Sequence, residues 1–347
     1  MIEHHVARNP IENPVCSICV ANYNGVGLLD DCIGSVFGQQ GSVAFEIIVH
    51  DDASTDGSVQ LLREKYPQVE VLASRENVGF CISNNRMAAQ ARGEYLLLLN
   101  NDAALYPDAL TTLLAIARAA PSDQILTLPQ YDWETGELVD CGSLLDPFYN
   151  AVPNLDKQRG DVAMAIGACL WISRALWNDL GGFPEWMESI AEDLHLCCAA
   201  RLLGIEVRAV GNSGFRHRQG ASFSGLRSPS NALVSTYRRR HLSERNKTAV
   251  MIVCTPTPLM WVLLIIHLVA LATEALVLLL VRRDAAIWLK IYWPALKGLW
   301  HQRQHLLGNR GATQRQRRIS AWSYFREFRP LPHKLMLLLR HGLPRLR

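Results

Sequence analysis

Two phosphate-binding signatures are missing from this chain of 347 residues. No GxGxxG follows its first apolar run, and neither GxxxxGKS nor GxxxxGKT occurs anywhere in it. These absences argue against dinucleotide-binding and P-loop proteins. Residues 1–14 also lack the apolar stretch that forms a signal peptide. We therefore expect the globular part of the chain to lie in the cytosol.

The nine cysteines are odd in number and lack framework spacing, which suits a reducing compartment better than a disulfide-built fold. Cys16 and Cys19 form a CxxC within an apolar run that is typical of a strand. Residues at this spacing on a strand face opposite sides, so we do not expect the two thiols to share a metal. All nine cysteines are predicted to be buried, small apolar residues.

Acidic residues are scarce in the C-terminal part of the chain. Residues 282–347 contain 15 Lys and Arg against 2 Asp and Glu, whereas the whole chain has a net charge of only +3. This asymmetry indicates that the C-terminal part meets an anionic surface. Phospholipid headgroups are the first candidate, and nucleic acid is the second.

Short apolar runs alternate with helical patterns along the first part of the chain, which predicts an α/β fold with a Rossmann-like, doubly wound, mostly parallel sheet. The predicted strands there are Val15–Ala21, Phe45–His50, Val69–Ala73 and Glu94–Leu99, and the predicted helices are Leu28–Phe37, Ser58–Tyr66 and Cys81–Ala91. Further on, we predict helices over Pro107–Ala119 and Glu192–Leu203, and strands over Ile125–Leu128, Ile166–Ile172 and Glu206–Val210.

Polar clusters follow three of these strands. They are Ala21-Asn22-Tyr23-Asn24, Asp51-Asp52-Ala53-Ser54-Thr55-Asp56-Gly57-Ser58 and Asn100-Asn101-Asp102. Ligands of doubly wound sheets bind beyond the carboxyl ends of the strands. A single cluster also fits a turn or a helix cap. Three clusters that converge on one sheet edge favour a ligand site.

These clusters are joined in order by further polar motifs, and the whole set resembles family 2 glycosyltransferases of the bacterial rhamnosyltransferase-like kind, which build cell-surface polysaccharides. The resemblance covers about residues 15–225 and implies the GT-A fold. The further motifs are Asn77-Val78-Gly79-Phe80 with Asn84-Asn85, Gly181-Gly182-Phe183, Glu192-Asp193 and His217-Arg218-Gln219-Gly220-Ala221-Ser222.

The resemblance implies that Asp52 accepts a hydrogen bond from the pyrimidine of a nucleoside-diphosphate sugar, since a carboxylate suits an imide N–H. Tyr23 is expected either to stack on the base or to be an ordinary half-buried aromatic residue. Asp52 has an alternative as a cap of the helix at Ser58–Tyr66, a role we assign to Thr55 or Asp56. The other expected donor-binding residues are Ala21, Asn77, Gly79, Asn85, Asn101, Arg216 and Arg218.

A divalent metal, Mg²⁺ or Mn²⁺, is implied by the position of Asn100-Asn101-Asp102, where the family carries its DxD motif. Asn100 replaces the first Asp, so the expected ligand is Asp102, with His217 as a second ligand in a polar loop. A bound cation would neutralise the charge of the leaving diphosphate. The alternative is that Asp102 is the N-cap of a helix that begins at residue 103.

Glu192 and Asp193 open a predicted helix. Inverting transfer needs a carboxylate that removes the proton of the acceptor hydroxyl, and by resemblance this base is Asp193, with Glu192 in support. The alternative is that both acids are there because the positive end of the helix dipole favours them.

The segment 249–281 contains no Lys, Arg or Asp, and Leu259–Val281 is long enough to cross a bilayer. Basic residues flank both sides of it, including Arg238-Arg239-Arg240 and Arg282-Arg283, which conflicts with one clean crossing. We therefore predict a hydrophobic hairpin or interfacial helices, with the basic and Trp-rich tail on the cytoplasmic leaflet. A single span with an exported tail is the rival.

The sequence thus predicts an N-terminal extension (1–14), a glycosyltransferase domain (15–240) and a membrane-associating helical region (241–347). We expect an inverting, metal-dependent enzyme at the cytoplasmic face of a bacterial inner membrane. Its expected partners are a dTDP- or UDP-sugar, a polyprenyl-diphosphate-linked glycan acceptor and membrane lipids, and not nucleic acid. The alternatives are a sugar-nucleotide nucleotidyltransferase and an inactive donor-binding scaffold.

Overall fold

A computed structural model of the chain describes residues 2–218, 234–341 and 345–346. In chain order its strands are β1 (Ile2–His5), β2 (Cys16–Asn22), β3 (Phe45–Asp51), β4 (Glu70–Ser74), β5 (Tyr95–Asn100), β6 (Ala103–Leu105), β7 (Gln124–Thr127), β8 (Gln130–Asp132), β9 (Leu138–Asp140), β10 (Leu144–Leu145), β11 (Ala151–Val152), β12 (Cys169–Ser173), β13 (Glu206–Ala209), β14 (Phe215–His217), β15 (Val234–Ser235) and β16 (Arg345–Leu346).

The α-helices are α1 (Val26–Phe37), α2 (Ser58–Lys65), α3 (Phe80–Gln90), α4 (Ala109–Ala119), α5 (Arg174–Leu180), α6 (Glu192–Leu202), α7 (Tyr237–Cys254), α8 (Leu259–Arg282), α9 (Trp293–Gln316), α10 (Ala321–Phe325) and α11 (His333–His341). A single 3₁₀ turn covers Glu185–Met187, and a π-helical turn covers Trp288–Tyr292. The predicted elements agree with these bounds to within a few residues, although the segment 1–14 also contributes the edge strand β1.

The main sheet has eight strands in the order β1-β4-β3-β2-β5-β12-β7-β13. Its centre is parallel, while β12 runs antiparallel to both β5 and β7. Helices cover both faces, so the central strands are apolar throughout. Cys19 belongs to the core on the α3 and α6 side and Cys16 to the core on the α1 and α4 side, which confirms that the two thiols face opposite ways. All nine cysteines are free and buried.

A second sheet, in the order β6-β14-β8-β9, stands at the carboxyl edge of the first. It corrects two expectations. Residues 103–105 form strand β6, so Asp102 is not the N-cap of a helix. His217 is the last residue of strand β14, paired with Ala103, and does not lie in a loop. The remainder of its motif, Gln219 to Ser222, lies outside the described residues.

Helix α7 continues the core of the main sheet past residue 240. Its residues Ala249 to Cys254 pack in the same apolar cluster as strands β2 and β5 and helices α3 and α6. The carbonyls at its C-terminal end accept hydrogen bonds from Arg310 and Gln314 of α9. The C-terminal helices are therefore packed on the α/β unit.

Helix α8 is, in the part of the chain that the structure describes, the one helix long and apolar enough to cross a membrane. It runs antiparallel along α7. Three polar contacts join the two helices or their ends, between Thr248 and His267, between Arg240 and Glu274, and between Tyr237 and Asp284. The inner side of α8 is buried, whereas most of its apolar residues are exposed.

Candidate active site

The ends of strands β2, β3 and β5 are tied together by a chain of buried amides. Asn101 Nδ2 donates to Asn22 Oδ1 at 2.7 Å, and Asn22 Nδ2 donates to Asp51 Oδ2 at 2.8 Å. A Cβ at Gly25 would lie 2.3 Å from Asn101 Nδ2. Glycine is therefore required at position 25 for this network to close. The three predicted polar clusters do converge on one sheet edge.

Asp52 follows strand β3, and both of its carboxylate oxygens face the segment that precedes α3. Oδ1 accepts from the backbone N–H of Val78 at 2.7 Å, and Oδ2 accepts from that of Gly79 at 2.8 Å. Asn77 donates to the Asp52 carbonyl at 3.3 Å. Gly79 has φ +89°, a conformation that glycine adopts without strain. Asp52 thus organises the 77–79 segment and retains lone pairs, since each carboxylate oxygen accepts more than one hydrogen bond.

The N-cap of α2 is Gly57 and not Thr55 or Asp56, but Asp56 accepts hydrogen bonds at the start of two helices. Its carboxylate accepts from the N–H of Ser58 at the start of α2 and from that of Val26 at the start of α1. Thr55 instead donates its N–H to Asn24. Ala21 and Tyr23 lie beside this loop at the end of β2, and the Tyr23 ring is 51% exposed. An aromatic surface at the sheet edge is therefore accessible to a ligand.

Asp102 and His217 are buried neighbours at the junction of the two sheets. Asp102 Oδ1 lies 3.0 Å from His217 Nε2, and Asn100 Nδ2 lies 3.4 Å from the same nitrogen. Within the described ranges, no group of three or more His, Cys, Asp or Glu side chains is placed to hold a metal ion. A carboxylate oxygen and an imidazole nitrogen at this separation fit a divalent cation that takes its other ligands from phosphate and water.

The two arginines predicted to bind the donor, Arg216 and Arg218, are placed differently. Arg218 Nη2 donates to Asp31 at 2.6 Å, and its guanidinium lies 4.0 Å from the centre of the Trp133 ring. Its backbone N–H donates to the Asp102 carbonyl at 3.0 Å, so it lies beside the metal candidates. Arg216 is exposed, and on strand β14 its side chain points to the opposite face from that of His217.

Asn85 lies next to the Gly181-Gly182-Phe183 turn. Its Nδ2 donates to the Phe183 carbonyl at 2.8 Å, and its Oδ1 accepts from the Phe183 N–H at 2.9 Å. Gly182 has φ +66°, and a Cβ there would lie 2.7 Å from Asn85 Oδ1. The amide of Asn85 therefore holds this turn, a role that the sequence did not indicate.

Glu192 and Asp193 form the first turn of α6, where Glu192 is buried and Asp193 is half-buried. Asp193 Oδ2 accepts from the N–H of Gly167 at 2.9 Å, and Oδ1 accepts from that of Leu194 at 2.7 Å. Among the described residues, Glu192 Oε2 has no hydrogen-bond partner. Burial raises the pKa of Glu192 to about 8 and also raises the pKa of Asp193. A helix dipole acting alone would lower both values, so burial outweighs it.

A short backbone path connects Asp193 to the candidate metal ligands, Asp102 and His217. Gly167 donates to Asp193, and the carbonyl of the next residue, Ala168, accepts from the Asn100 N–H at 3.1 Å. The 77–79 segment beside Asp52 is also connected to Asp193, because the Cys81 N–H donates to the Glu188 carbonyl just before α6. Gly167 is a site residue that the sequence analysis missed, since a backbone donor leaves no motif.

Comparison with known proteins supports one family. Residues 17–181 match the profile described as Glycosyl transferase family 2. The uncharacterized glycosyltransferase YibD of Escherichia coli is 32% identical over 127 residues, covering 35% of this chain and 36% of YibD. An N-acetylglucosaminyl-diphospho-decaprenol L-rhamnosyltransferase of Mycobacterium tuberculosis is 26% identical over 180 residues, covering 43% of this chain and 59% of the relative. The chain thus matches only part of each relative.

Among solved structures, the mannosyltransferase PcManGT from Pyrobaculum calidifontis, in complex with GDP-Man and Mn²⁺, superposes with a TM-score of 0.52. It is 20% identical, and the match covers 89% of each chain. Likeness at this identity concerns the fold, and it confirms the expected GT-A architecture.

Proposed function

We propose that this chain, a glycosyltransferase with a family 2 domain at residues 17–181, is an inverting enzyme of cell-surface polysaccharide synthesis. It transfers a rhamnose-like sugar, a hexose or an N-acetylhexosamine from a dTDP- or UDP-sugar to a hydroxyl of a lipid-linked glycan. The observation that carries the proposal is the backbone path of Gly167 and Ala168, which joins the Asp193 carboxylate to the strand end before Asp102.

The nucleotide binds along the edge formed by β2, β3 and the 77–79 segment. Asp52, already oriented by the N–H groups of Val78 and Gly79, accepts the imide N–H of uracil or thymine with a remaining lone pair. The exposed ring of Tyr23 stacks on the base. Ala21, Asn77 and Asn101 shape this side of the pocket.

Asp102 and His217 are the residues that would hold a divalent cation, Mg²⁺ or Mn²⁺. Their 3.0 Å separation and burial support this assignment. When bound, the cation supplies Lewis-acid neutralisation of the leaving diphosphate. Arg218, next to Asp102 in space, adds a positive charge on the same side.

Asp193 is the general base. The acceptor oxygen forms a bond to the anomeric carbon while its proton passes to the Asp193 carboxylate. The bond from the anomeric carbon to the diphosphate oxygen breaks, and the nucleoside diphosphate leaves with the electron pair. Two backbone N–H groups stabilise the ionised form of Asp193, whereas Glu192, with its pKa raised to about 8, is protonated at neutral pH. The pair thus offers a single carboxylate, as a base requires.

The acceptor is a polyprenyl-diphosphate-linked glycan at the cytoplasmic face of a bacterial inner membrane. The Mycobacterium tuberculosis relative is named for an acceptor of this kind. Exposed apolar residues on α8 and the basic tail support a site next to lipid headgroups.

Helix α8 lies in the membrane interface and does not cross the bilayer. It runs along α7, where the buried Glu244 forms ion pairs with Arg240 and Lys247 of the same helix and with Lys334. A perpendicular crossing by α8 would draw these charges into the hydrocarbon, at a cost of several kcal/mol or more. The outer side of α8 can enter the interface while α7 stays on the protein side.

Product analysis tests the function. Purified protein is screened by thermal shift with Mn²⁺ and a donor panel of UDP-N-acetylglucosamine, UDP-glucose, dTDP-rhamnose and GDP-mannose. It is then incubated with each donor and with polyprenyl-diphosphate-linked N-acetylglucosamine. Release of nucleoside diphosphate together with an extended lipid-linked glycan is the expected result. Release of pyrophosphate in a parallel incubation with a nucleoside triphosphate and a sugar 1-phosphate would identify a nucleotidyltransferase, and donor binding without turnover would identify an inactive scaffold.

A further inference from the structure

The backbone that leads into Glu192 and Asp193 is held in an unusual conformation. Glu188, Ile190 and Ala191 have φ values of +64°, +69° and +69°. Non-glycine residues rarely adopt this region, and a β-branched residue such as Ile190 does so least of all. Such a conformation persists only where the surrounding structure imposes it. Something outside the loop must therefore hold residues 187–191.

Asn246 of α7 is the side chain that does so most directly. It is fully buried, and its Nδ2 lies 2.9 Å from the carbonyl oxygen of Met187, 3.0 Å from that of Ser189 and 2.8 Å from that of Ile190. Its Oδ1 accepts from Arg245 Nε at 2.9 Å, which fixes the orientation of the amide. Both N–H groups of the amide thus point at the loop.

Neighbouring residues on the same side of α7 add to this contact. Arg245 Nη2 donates to the carbonyls of Trp186 and Met187 at 3.1 and 3.2 Å. Both Arg238 and Arg245 pair with the Glu188 carboxylate. Arg239 on this side lowers the pKa of Glu192, against the larger effect of burial. The side of α7 that faces the loop is therefore polar and basic.

We propose that Asn246 is a positioning residue for sugar transfer: its amide holds the 187–190 carbonyls so that α6 begins where Asp193 meets the acceptor hydroxyl. The inference rests on the proposed role of Asp193 as base. It assigns part of the catalytic geometry to α7, which lies beyond the residues 17–181 that match the family profile.

The same helix contacts α8 on its other side, through Arg240 and Thr248. Asn246 therefore lies on the element that joins the lipid-facing helix to the base. Loss of its amide would let the loop relax, so that Asp193 moves relative to the acceptor, while Asp52 keeps its own hydrogen bonds from Val78 and Gly79. A displacement of a reacting group by about 1 Å can lower the reaction rate by as much as about 100-fold.

The test compares Asn246→Ala with Asn154→Ala in the full-length protein. Asn154 is a matched control, because it is also buried and its Nδ2 donates to two carbonyls, those of Cys141 and Asp156. Hydrogen exchange, which needs no substrate, should become faster at residues 188–193 only in Asn246→Ala. With the donor panel above, kcat should fall by about 10- to 100-fold while the KM for donor stays within about twofold.

The pH dependence separates positioning from simple destabilisation. Since burial raises the pKa values of Glu192 and Asp193, entry of water into the relaxed loop should move the acidic limb of the kcat profile to lower pH. Asn154→Ala should leave the limb where it is. A wild-type kcat and pH profile in folded Asn246→Ala would overturn the proposal, even if hydrogen exchange is faster.

Two further variants ensure that the result can be interpreted. If Asn246→Ala does not fold, Arg245→Ala takes its place. This variant removes the hydrogen bonds from Arg245 to the Trp186 and Met187 carbonyls and should change kcat and the pH profile in the same way. An unchanged kcat in Arg245→Ala would overturn the proposal. Asp193→Asn is assayed alongside. Full activity of Asp193→Asn would show that the proposed base is wrong. Lost activity there, combined with wild-type kcat in Asn246→Ala, would refute the positioning role alone.

Discussion

Asp193 accepts a 2.9 Å hydrogen bond from the backbone N–H of Gly167, the residue that precedes the Ala168 carbonyl bound by Asn100. The bond fixes one carboxylate oxygen and favours the ionised form. It also sets the distance between the proposed base and the end of the strand that precedes Asp102. Replacement of the carboxylate by an amide therefore changes the chemistry with little change in shape.

Asp193→Asn should reduce transfer by about 100- to 10,000-fold, the range typical of a lost general base, while donor affinity stays near that of the wild type. Steady-state transfer and donor thermal shift measure the two quantities separately. The exposed Asp179→Asn on α5 is the matched control and should be fully active. Loss of donor binding in Asp193→Asn would place this residue in the donor pocket instead.

The Glu192 carboxyl makes stability depend on pH. Its folded-state pKa of about 8 exceeds the ordinary glutamate value of 4.5, so the folded protein retains a proton that the unfolded chain releases. The contribution to stability is complete below pH 4.5 and is lost as pH rises towards 8. Glu192→Gln does not titrate and should escape this loss.

Glu192→Gln should therefore gain stability over the wild type by on the order of 3 kcal/mol between pH 5 and pH 8. Chemical denaturation across that range measures the difference. The exposed Glu185→Gln, on the turn before α6, serves as the control for charge removal. A constant difference between Glu192→Gln and the wild type at all pH values would show that Glu192 is ionised in the folded protein.

The Asp102 and His217 pair makes a separate prediction for metal. Asp102→Ala should weaken Mn²⁺-dependent donor binding by at least about tenfold, because the remaining imidazole is a poor site for a hard cation. His217→Ala should weaken it less, since the carboxylate carries the charge. Donor titration with and without EDTA measures both effects, with the exposed Asp123→Ala as control. Metal-dependent binding that survives in Asp102→Ala would exclude this residue as the ligand.

Local sequence patterns were sufficient to predict the central strands and the positions of most motifs. Alternating apolar runs located β2, β3 and β5, and the polar residues after them do meet at one edge. Strand β6 escaped prediction because its three residues are extended only through pairing with β14, more than a hundred residues later. Short strands of this kind have no periodicity of their own.

The contacts of Asn85 and Asn246 were beyond sequence reasoning for a related reason. Each amide binds backbone carbonyls or N–H groups of a loop distant in sequence, and such acceptors carry no side-chain signature. The positive φ angles at Ile190 and Ala191 run against local preference and are imposed by tertiary contacts. The sequence could therefore identify Glu192-Asp193 but not the helix that holds the loop before it.

The proposed membrane attachment through the outer side of α8 gives a further prediction. Ile265 and Val269 are 62% and 61% exposed there, while His267 between them is buried against α7. Each apolar side chain that enters the interface contributes about 1.5–3 kcal/mol. Ile265→Glu combined with Val269→Glu should therefore abolish flotation with vesicles of phosphatidylglycerol and phosphatidylethanolamine. Leu155→Glu, at an exposed site on the α/β unit, is the matched control.

Salt and labelling distinguish the interfacial arrangement from a crossing. If the basic tail lies on headgroups, raising the salt concentration should weaken vesicle binding, because screening reduces the attraction of Lys and Arg to anionic lipid. Gln316→Cys, at the end of α9, should react with an impermeant maleimide only after cells are lysed, since the proposed interfacial arrangement keeps the tail on the cytoplasmic side. Labelling in intact cells would mean that α8 crosses the bilayer and that its contacts with Arg240 and Thr248 do not persist there.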